Sequence, residues 1–337
     1  MRVKKIKALS RRFLLNNPND NFNRCKQYKK IDSVPSYVIY SKRNLKTKMN
    51  CNILSATNRH ERDANIQFFE EGHRYCILVD PDSKYTSVTT WVHSHFPKFD
   101  ADDIIKKMMS GKSWKPGHKY WGKDADQIKK QWSDNGAAVS GAGTDLHYDI
   151  ECFMNNDKLL SKYTHKDLLE AAKDTSHRNT SVEWSYFMQF VADTPNLRPY
   201  RTEWCVYNED LKMSGSIDMI YENPDGSLSI YDWKRSKEIS PVNRFNKYAI
   251  TQSIAHLPDS NYWHYALQLN TYRGLIESKY GKKVKELFLV RLHPDAEDKT
   301  YDLIKLPILN DEIIHLWERW SQKLVTESTF GKGGAKN

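Results

Sequence analysis

Met213–Lys234, MSGSIDMIYENPDGSLSIYDWK, is the stretch on which the fold turns. From Gly215 to Glu222, Ile217, Met219 and Tyr221 alternate with Ser216, Asp218 and Ile220, the two-residue period of a strand. Ser227–Lys234 carries Leu228, Ile230 and Asp232 in a second strand pattern. Asn223-Pro224-Asp225-Gly226 lies between them. Proline presets φ, Asn and Asp side chains bond back to the backbone, and glycine accepts a positive φ, so this is a turn. The stretch is therefore a hairpin. Asp232 and Lys234 are two apart and point to the same side of their strand. Asp218, on the partner strand, is placed for its carboxylate to converge with that of Asp232. Two carboxylates and an ammonium on one sheet face suit a core badly and a metal-assisted site well.

The flanking residues extend the pattern in both directions. Tyr200–Tyr207, YRTEWCVY, reads as a preceding strand and contains Glu203. Upstream, Gly136–Asn155 reads as a helix with Leu146, Ile150 and Phe153 on one face, and a separate helix is expected over Asp124–Trp132. His147 and Glu151, four apart, share a side of the longer helix. Helices near Lys166–Asp174 and Val182–Ala192 form an insertion. Downstream come a loop-like stretch over 240–260, a helix from Tyr262 to Tyr280 and a buried strand over Lys285–Leu292. The order is helix, three strands, helix, strand. The fold class expected is α/β, a mixed central sheet flanked by helices.

The chain has 337 residues, enough for one large core, with 28% charged residues and abundant Trp and Tyr. That composition describes a folded, enzyme-like protein and not a disordered one. No apolar run approaches the roughly 20 residues a membrane helix needs. The net charge of +10 is an N-terminal property: residues 1–60 hold 15 Lys/Arg against 2 Asp/Glu, and the remainder holds 37 against 40. We expect 1–60 to be a loosely attached basic extension, 61–330 the folded domain and 331–337 a flexible tail. Such an arm favours contact with a polyanion, and it equally suits a solvated tail or an organellar or nuclear address. Five scattered cysteines without a CxxC argue for a reducing, intracellular setting and against a disulfide scaffold or zinc finger. Order is expected to begin at Ile66 with a strand pair around Gly72. A short helix follows over Ser87–Phe96, and another is capped by Asp100 and ends near Gly111. Lys112–Lys123, KSWKPGHKYWGK, interleaves lysines with aromatics; that pattern suits a nucleic-acid strand, and it equally suits an ordinary surface loop.

The chemistry follows from the residue types. A hard divalent cation takes oxygen ligands, which Asp218, Asp232 and the Trp233 carbonyl offer, and Mn²⁺ also accepts an imidazole such as that of His147. Lys234 can hold or help deprotonate a water, or neutralise charge on a phosphate. A metal that activates water and clamps a phosphate, beside an ammonium, describes phosphodiester hydrolysis.

In these residues the chain resembles the PD-(D/E)XK nuclease superfamily. GSIDMIYENPDGSLSIYDWK is similar to that superfamily's hallmark, and the element order resembles its restriction-endonuclease-like αβββαβ core. Gly143-Thr144-Asp145-Leu146-His147 resembles the GTxxH motif of the RecB-type exonuclease branch, which includes the mitochondrial genome maintenance exonuclease and large-DNA-virus homologues. Gln268-Leu269-Asn270-Thr271-Tyr272 resembles its QxxxY motif. The resemblance implies that His147, Asp218 and Asp232 hold Mg²⁺ or Mn²⁺, that Lys234 serves the water, and that Gln268 and Tyr272 border the site and touch DNA. Glu203 resembles an additional acidic residue for a second metal or for orienting water. Some relatives bind an iron–sulfur cluster through a downstream cysteine group. Here the last cysteine is Cys205, so no such cluster is expected, and without a GxxxxGK[ST] no helicase motor is expected either. The implied protein is a DNA exonuclease acting on single- or double-stranded ends in replication, repair or recombination. An endonuclease of the same fold and a non-catalytic nucleic-acid-binding protein are the alternatives.

Overall fold

The computed structural model describes residues 52–331, except 70, 160 and 174–178. Most of the basic extension and the flexible tail therefore lie outside the described residues. The elements run α1 (Ile53–Thr57), β1 (Ile66–Phe69), β2 (Arg74–Ile77), β3 (Thr86–Ser87), α2 (Val88–His93), α3 (Ala101–Met109), α4 (Ala125–Met154), α5 (His165–Ala172), α6 (Val182–Asp193), β4 (Arg198–Asn208), β5 (Met213–Glu222), β6 (Leu228–Lys234), α7 (Asn261–Lys279), β7 (Val284–Arg291), β8 (Asp302–Lys305) and α8 (Asn310–Gly331).

Local chemistry sets most of the helix starts. Side-chain oxygens of Ser87, Asp100, Asp124, Thr164 and Ser181 each accept an N-terminal amide of the helix that comes next, and Asp124 with Gln127 and Thr164 with Asp167 close full capping boxes. Two helices expected over 124–155 are one. α4 runs through Gly136 without a break, because a single exposed glycine costs only about 1 kcal/mol and buried residues fix both ends. Ile128 is buried near its start, and Leu146, Ile150 and Phe153 near its end. Residues 52–60 are tied into the body: Leu54 is buried and its amide donates to Asn155 Oδ1, and the Asn58 side chain donates to the Tyr200 carbonyl. Cys152 and Cys205 are free thiols.

The main sheet has the order β3-β5-β6-β7-β8, with β4 on the other edge of β5. β3/β5 and β6/β7 are parallel, and β4/β5, β5/β6 and β7/β8 are antiparallel, so the sheet is mixed as expected. The short edge strand β8 was not expected. The first core packs α2, α7 and α8 on one face, with Trp91, Leu269, Leu275 and Leu316. The second packs α4 and α6 on the other, with Ile150, Phe153, Phe187 and Phe190. A smaller cluster joins the β1–β2 hairpin to Tyr207 and Cys205. Among the described residues no helix is long and apolar enough to cross a membrane.

Two irregularities shape the sheet around Asp218. β4 covers β5 along its whole length on one edge, but on the other edge β6 pairs only with Met219–Glu222 and β3 only with Met213–Ser214. The edge from Gly215 to Asp218 is left open, and β5 and β6 fork at Asp218 and Asp232. Residues two apart on a strand normally share a face. Here Ile217 packs into the first core and Met219 into the second, so β5 changes face at Asp218. Opposite Asp218, Glu203 has φ +43, a left-handed backbone that few non-glycine residues adopt.

Candidate metal centre

The fork is where the two helical layers reach each other through the sheet. His147 comes from α4, on the second-core side, while Tyr265, Gln268 and Tyr272 come from α7, on the first-core side. Glu203 and Asp218 face each other across β4 and β5. One nitrogen of His147 and one carboxylate oxygen each of Glu203 and Asp218 lie within 4.8 Å of one another.

The open edge is closed by side chains. The Trp233 amide, which has no strand partner on β5, donates to Asp218 Oδ2 at 3.1 Å. The Trp233 carbonyl, expected as an oxygen ligand, lies 3.1 Å from His147 Nε2. A carbonyl only accepts, so that nitrogen carries the proton. In the neutral ring the other nitrogen, Nδ1, presents a lone pair, and it lies 3.5 Å from Asp218 Oδ2. In that form the two atoms are placed to share a cation. Neighbouring ligands of an octahedral ion at 2.0–2.1 Å are about 3 Å apart, so the spacing fits a divalent cation. The Trp233 peptide fixes both groups, one through its carbonyl and one through its amide, as an outer shell fixes metal ligands.

Electrostatics agree with the geometry. Burial pushes the Glu203 carboxyl up to about 8, and the Asp218 charge pushes in the same direction, against His147 and the 3.0 Å hydrogen bond donated by Ser216. Burial and then Asp218 raise Asp232 to about 7 even though Lys234 opposes them. Carboxyls lifted this far by burial and by the Asp218 charge mark a candidate acidic site.

Asp232 stands apart from the group of three. It is buried at 3% exposure and forms an ion pair with Lys234 Nζ, and that ammonium also sits 4.5 Å from the centre of the Tyr265 ring. Burial pulls the Lys234 ammonium down, but Asp232 and Asp218 outweigh it and hold it charged. Of the residues expected at the site, the ligand atoms of His147, Glu203 and Asp218 come together, and Asp232 with Lys234 lies alongside. Tyr272 is buried against Gly215 in the fork; burial raises its phenol most, the charges of Asp218, Asp232 and Glu203 add to this, and neighbouring Gln268 acts the other way. Arg235 is occupied by Glu183 at 2.7 Å, and Lys237 is exposed.

Two neighbours were not singled out from the sequence. Tyr75, from the β1–β2 hairpin, packs with Cys205 and lies within electrostatic reach of Glu203, Asp218 and Tyr272. Tyr265, one turn before Gln268, shields Lys234. No local pattern marks Tyr75, because a separate hairpin brings it in; Tyr265 could have been found from its spacing to Gln268.

Residues 103–335 match the family model of the PD-(D/E)XK nuclease superfamily, a span that contains each of the site residues expected from the sequence. A search of curated proteins finds no match.

Proposed function

The chain belongs to the PD-(D/E)XK nuclease superfamily, and from that premise we propose that it is a DNA exonuclease of the RecB-type branch, dependent on Mg²⁺ or Mn²⁺ and acting on DNA ends in replication, repair or recombination. The observation that carries the reading is the gathering of His147, Glu203 and Asp218 within 4.8 Å, beside the Asp232–Lys234 pair. A nuclease of this superfamily acts on nucleic acid and uses divalent metal. When bound, such a cation lowers the pKa of a coordinated water and draws charge from a phosphoryl oxygen.

The chain's own groups do the rest. His147, Glu203 and Asp218 are the proposed ligands, and Asp232 joins them when its ion pair with Lys234 loosens. Asp218, Asp232 and Glu203 are the residues that would hold a second cation in a two-metal-type reaction. Lys234 Nζ, held as an ammonium by Asp232 and Asp218, donates to an attacking water or to a phosphate oxygen and neutralises charge gathering there. Tyr272 and Gln268 line the opening on the α7 side and position the strand. With no cysteine beyond Cys205, no iron–sulfur cluster is included in the proposal.

End-labelled single- and double-stranded DNA and a covalently closed circle, each incubated with Mg²⁺ and with Mn²⁺, test the proposal. Metal-dependent shortening from labelled ends, an intact circle, and loss of activity in Asp218→Ala and Lys234→Ala are expected. Cutting of the circle would replace the exonuclease with an endonuclease. Activity unchanged in both variants would remove the site.

A further inference from the structure

The segment joining α3 to α4, Gly111–Lys123, plays no part in the proposed chemistry. It holds Lys112, Lys115, Lys119 and Lys123 and no acidic residue. Its aromatic side chains form one chain of contacts. The Trp114 ring lies 4.9 Å from His118 and 5.7 Å from Trp121, and Tyr120 lies 6.0 Å from His118 and from Trp132. The Trp132 indole donates to the Tyr120 hydroxyl at 2.9 Å, and Lys123 donates to Gln131 at 2.6 Å, so the start of α4 braces the loop. Trp121 is nonetheless 46% exposed, and Lys112, Lys115 and Lys119 are exposed around it. A braced aromatic surface in water, ringed by cations, is poorly explained as packing.

We propose that this loop is a stacking platform for the unpaired part of a nucleic-acid strand whose end lies at the metal centre; the proposal rests on the nuclease reading for the identity of that strand. Trp114 and Trp121 offer faces to bases, which stack without regard to sequence, and the three exposed lysines meet phosphates. The partner is a single strand and not a duplex, because paired bases have no free faces to offer. Its placement comes from α4. The platform's Lys123 and Tyr120 are held by Gln131 and Trp132, and His147 lies 15 residues beyond Trp132, so about 23 Å of helix separates them at roughly 1.5 Å per residue. At about 3.4 Å per stacked nucleotide, a strand must be about seven nucleotides long to reach both. The surface of α4 between them is exposed from Ser133 to Ser140, so nothing within this helix's own packing covers the route.

The test is equilibrium binding of fluorescent oligonucleotides to the full-length protein, without metal so that nothing is cut. A length series of single strands and a blunt 30-base-pair duplex are compared for the unmodified protein, the double variant Trp114→Ala/Trp121→Ala and the triple variant Lys112→Gln/Lys115→Gln/Lys119→Gln. For the unmodified protein, single-strand affinity should climb until the strand is about seven nucleotides long. The tryptophan variant should lose tenfold or more on longer strands, in line with stacking losses at other single-strand sites. The lysine variant changes only exposed side chains and so keeps the test valid if the tryptophan variant misfolds. It should lower the slope of log affinity against log salt by about 2, roughly 0.7 for each phosphate contact. Equal single-strand affinity in all three proteins, or an equal loss on the duplex, overturns the platform. Because no cleavage is read, failure here is distinct from failure of the nuclease reading, which the labelled-end digestion decides.

Discussion

A Cβ built on Gly215 would stand 2.7 Å from both the hydroxyl and the Cε1 of Tyr272, closer than real side chains approach. This glycine is therefore required by contact and not by its backbone angle. It lies on the open edge of β5, and the missing side chain lets the tyrosine enter the fork. Gly215→Ala is expected to push Tyr272 out, with destabilisation of about 1–3 kcal/mol from overpacking. The double variant Gly215→Ala/Tyr272→Leu should recover part of that loss but not the cleavage rate, because the ring that borders the fork is gone. Thermal melting and digestion of labelled DNA on the four corners of the cycle check this. Additive effects would show that the two residues do not press on one another.

The Asp232–Lys234 pair makes a prediction that separates stability from chemistry. Lys234→Met should lower cleavage by about 10²–10⁴-fold, the usual worth of a positioned proton donor or acceptor. It should also make folding more sensitive to pH. Asp232 already sits near 7 with the ammonium beside it; without that ammonium it rises further and stays protonated over a wider range. The variant should therefore lose more stability at pH 8 than at pH 6 relative to the unmodified protein, as read from chemical denaturation at the two values.

The hairpin was legible because turn chemistry and strand alternation agree over Met213–Lys234, and the start of α3 because its cap, Asp100, is a short, local signal. α4 was read as two helices, one ending at Trp132 and one starting at Gly136, while what holds the residues between them helical is burial at the two ends. β8, DLIK, is a short half-exposed edge with no apolar run to announce it. Within the site, the residue types and their order were readable, and the geometry was not. Spacing cannot show that β5 and β6 part at Asp218, that the Trp233 peptide bridges the gap, or that Glu203 turns left-handed to face Asp218. Those features come from strands that are distant in sequence competing for one edge.

Raised carboxyl pKa values give the metal-free protein a pH dependence of definite sign. Glu203 moves from 4.5 to about 8 and Asp232 from 3.8 to about 7, so between those limits the folded state holds more protons than the unfolded one. Stability from these two groups is full below about 4 and is lost as pH rises through 7 and 8. A divalent cation replaces those protons. Its affinity should therefore increase from pH 6 to pH 8.5, with protons released on binding. Calorimetry with Mn²⁺ in two buffers of different ionisation heat measures both quantities. A metal affinity that is flat across this range, or that falls, would contradict the assignment of Glu203. In Glu203→Gln the rise should be smaller.

Glu203 itself combines a carboxylate at the metal centre with a backbone at φ +43. A non-glycine residue held there stores strain, and such strain is retained where function needs the side chain. Replacement by glycine removes the strain and the buried acid together, and adds the larger chain entropy of glycine in the unfolded state. Asparagine tolerates the left-handed region and avoids that entropy cost, so Glu203→Asn is the cleaner probe. In metal-free protein at pH 8.5 it should melt at or above the temperature of the unmodified chain. In saturating Mn²⁺ the order should reverse, because the unmodified protein gains a ligand the variant lacks. Cleavage should fall in the variant at every pH. If Glu203→Asn melts lower than the unmodified protein both with and without metal, the carboxylate is a structural brace for Ser216 and the neighbouring strand, and the ligand set must be drawn without it.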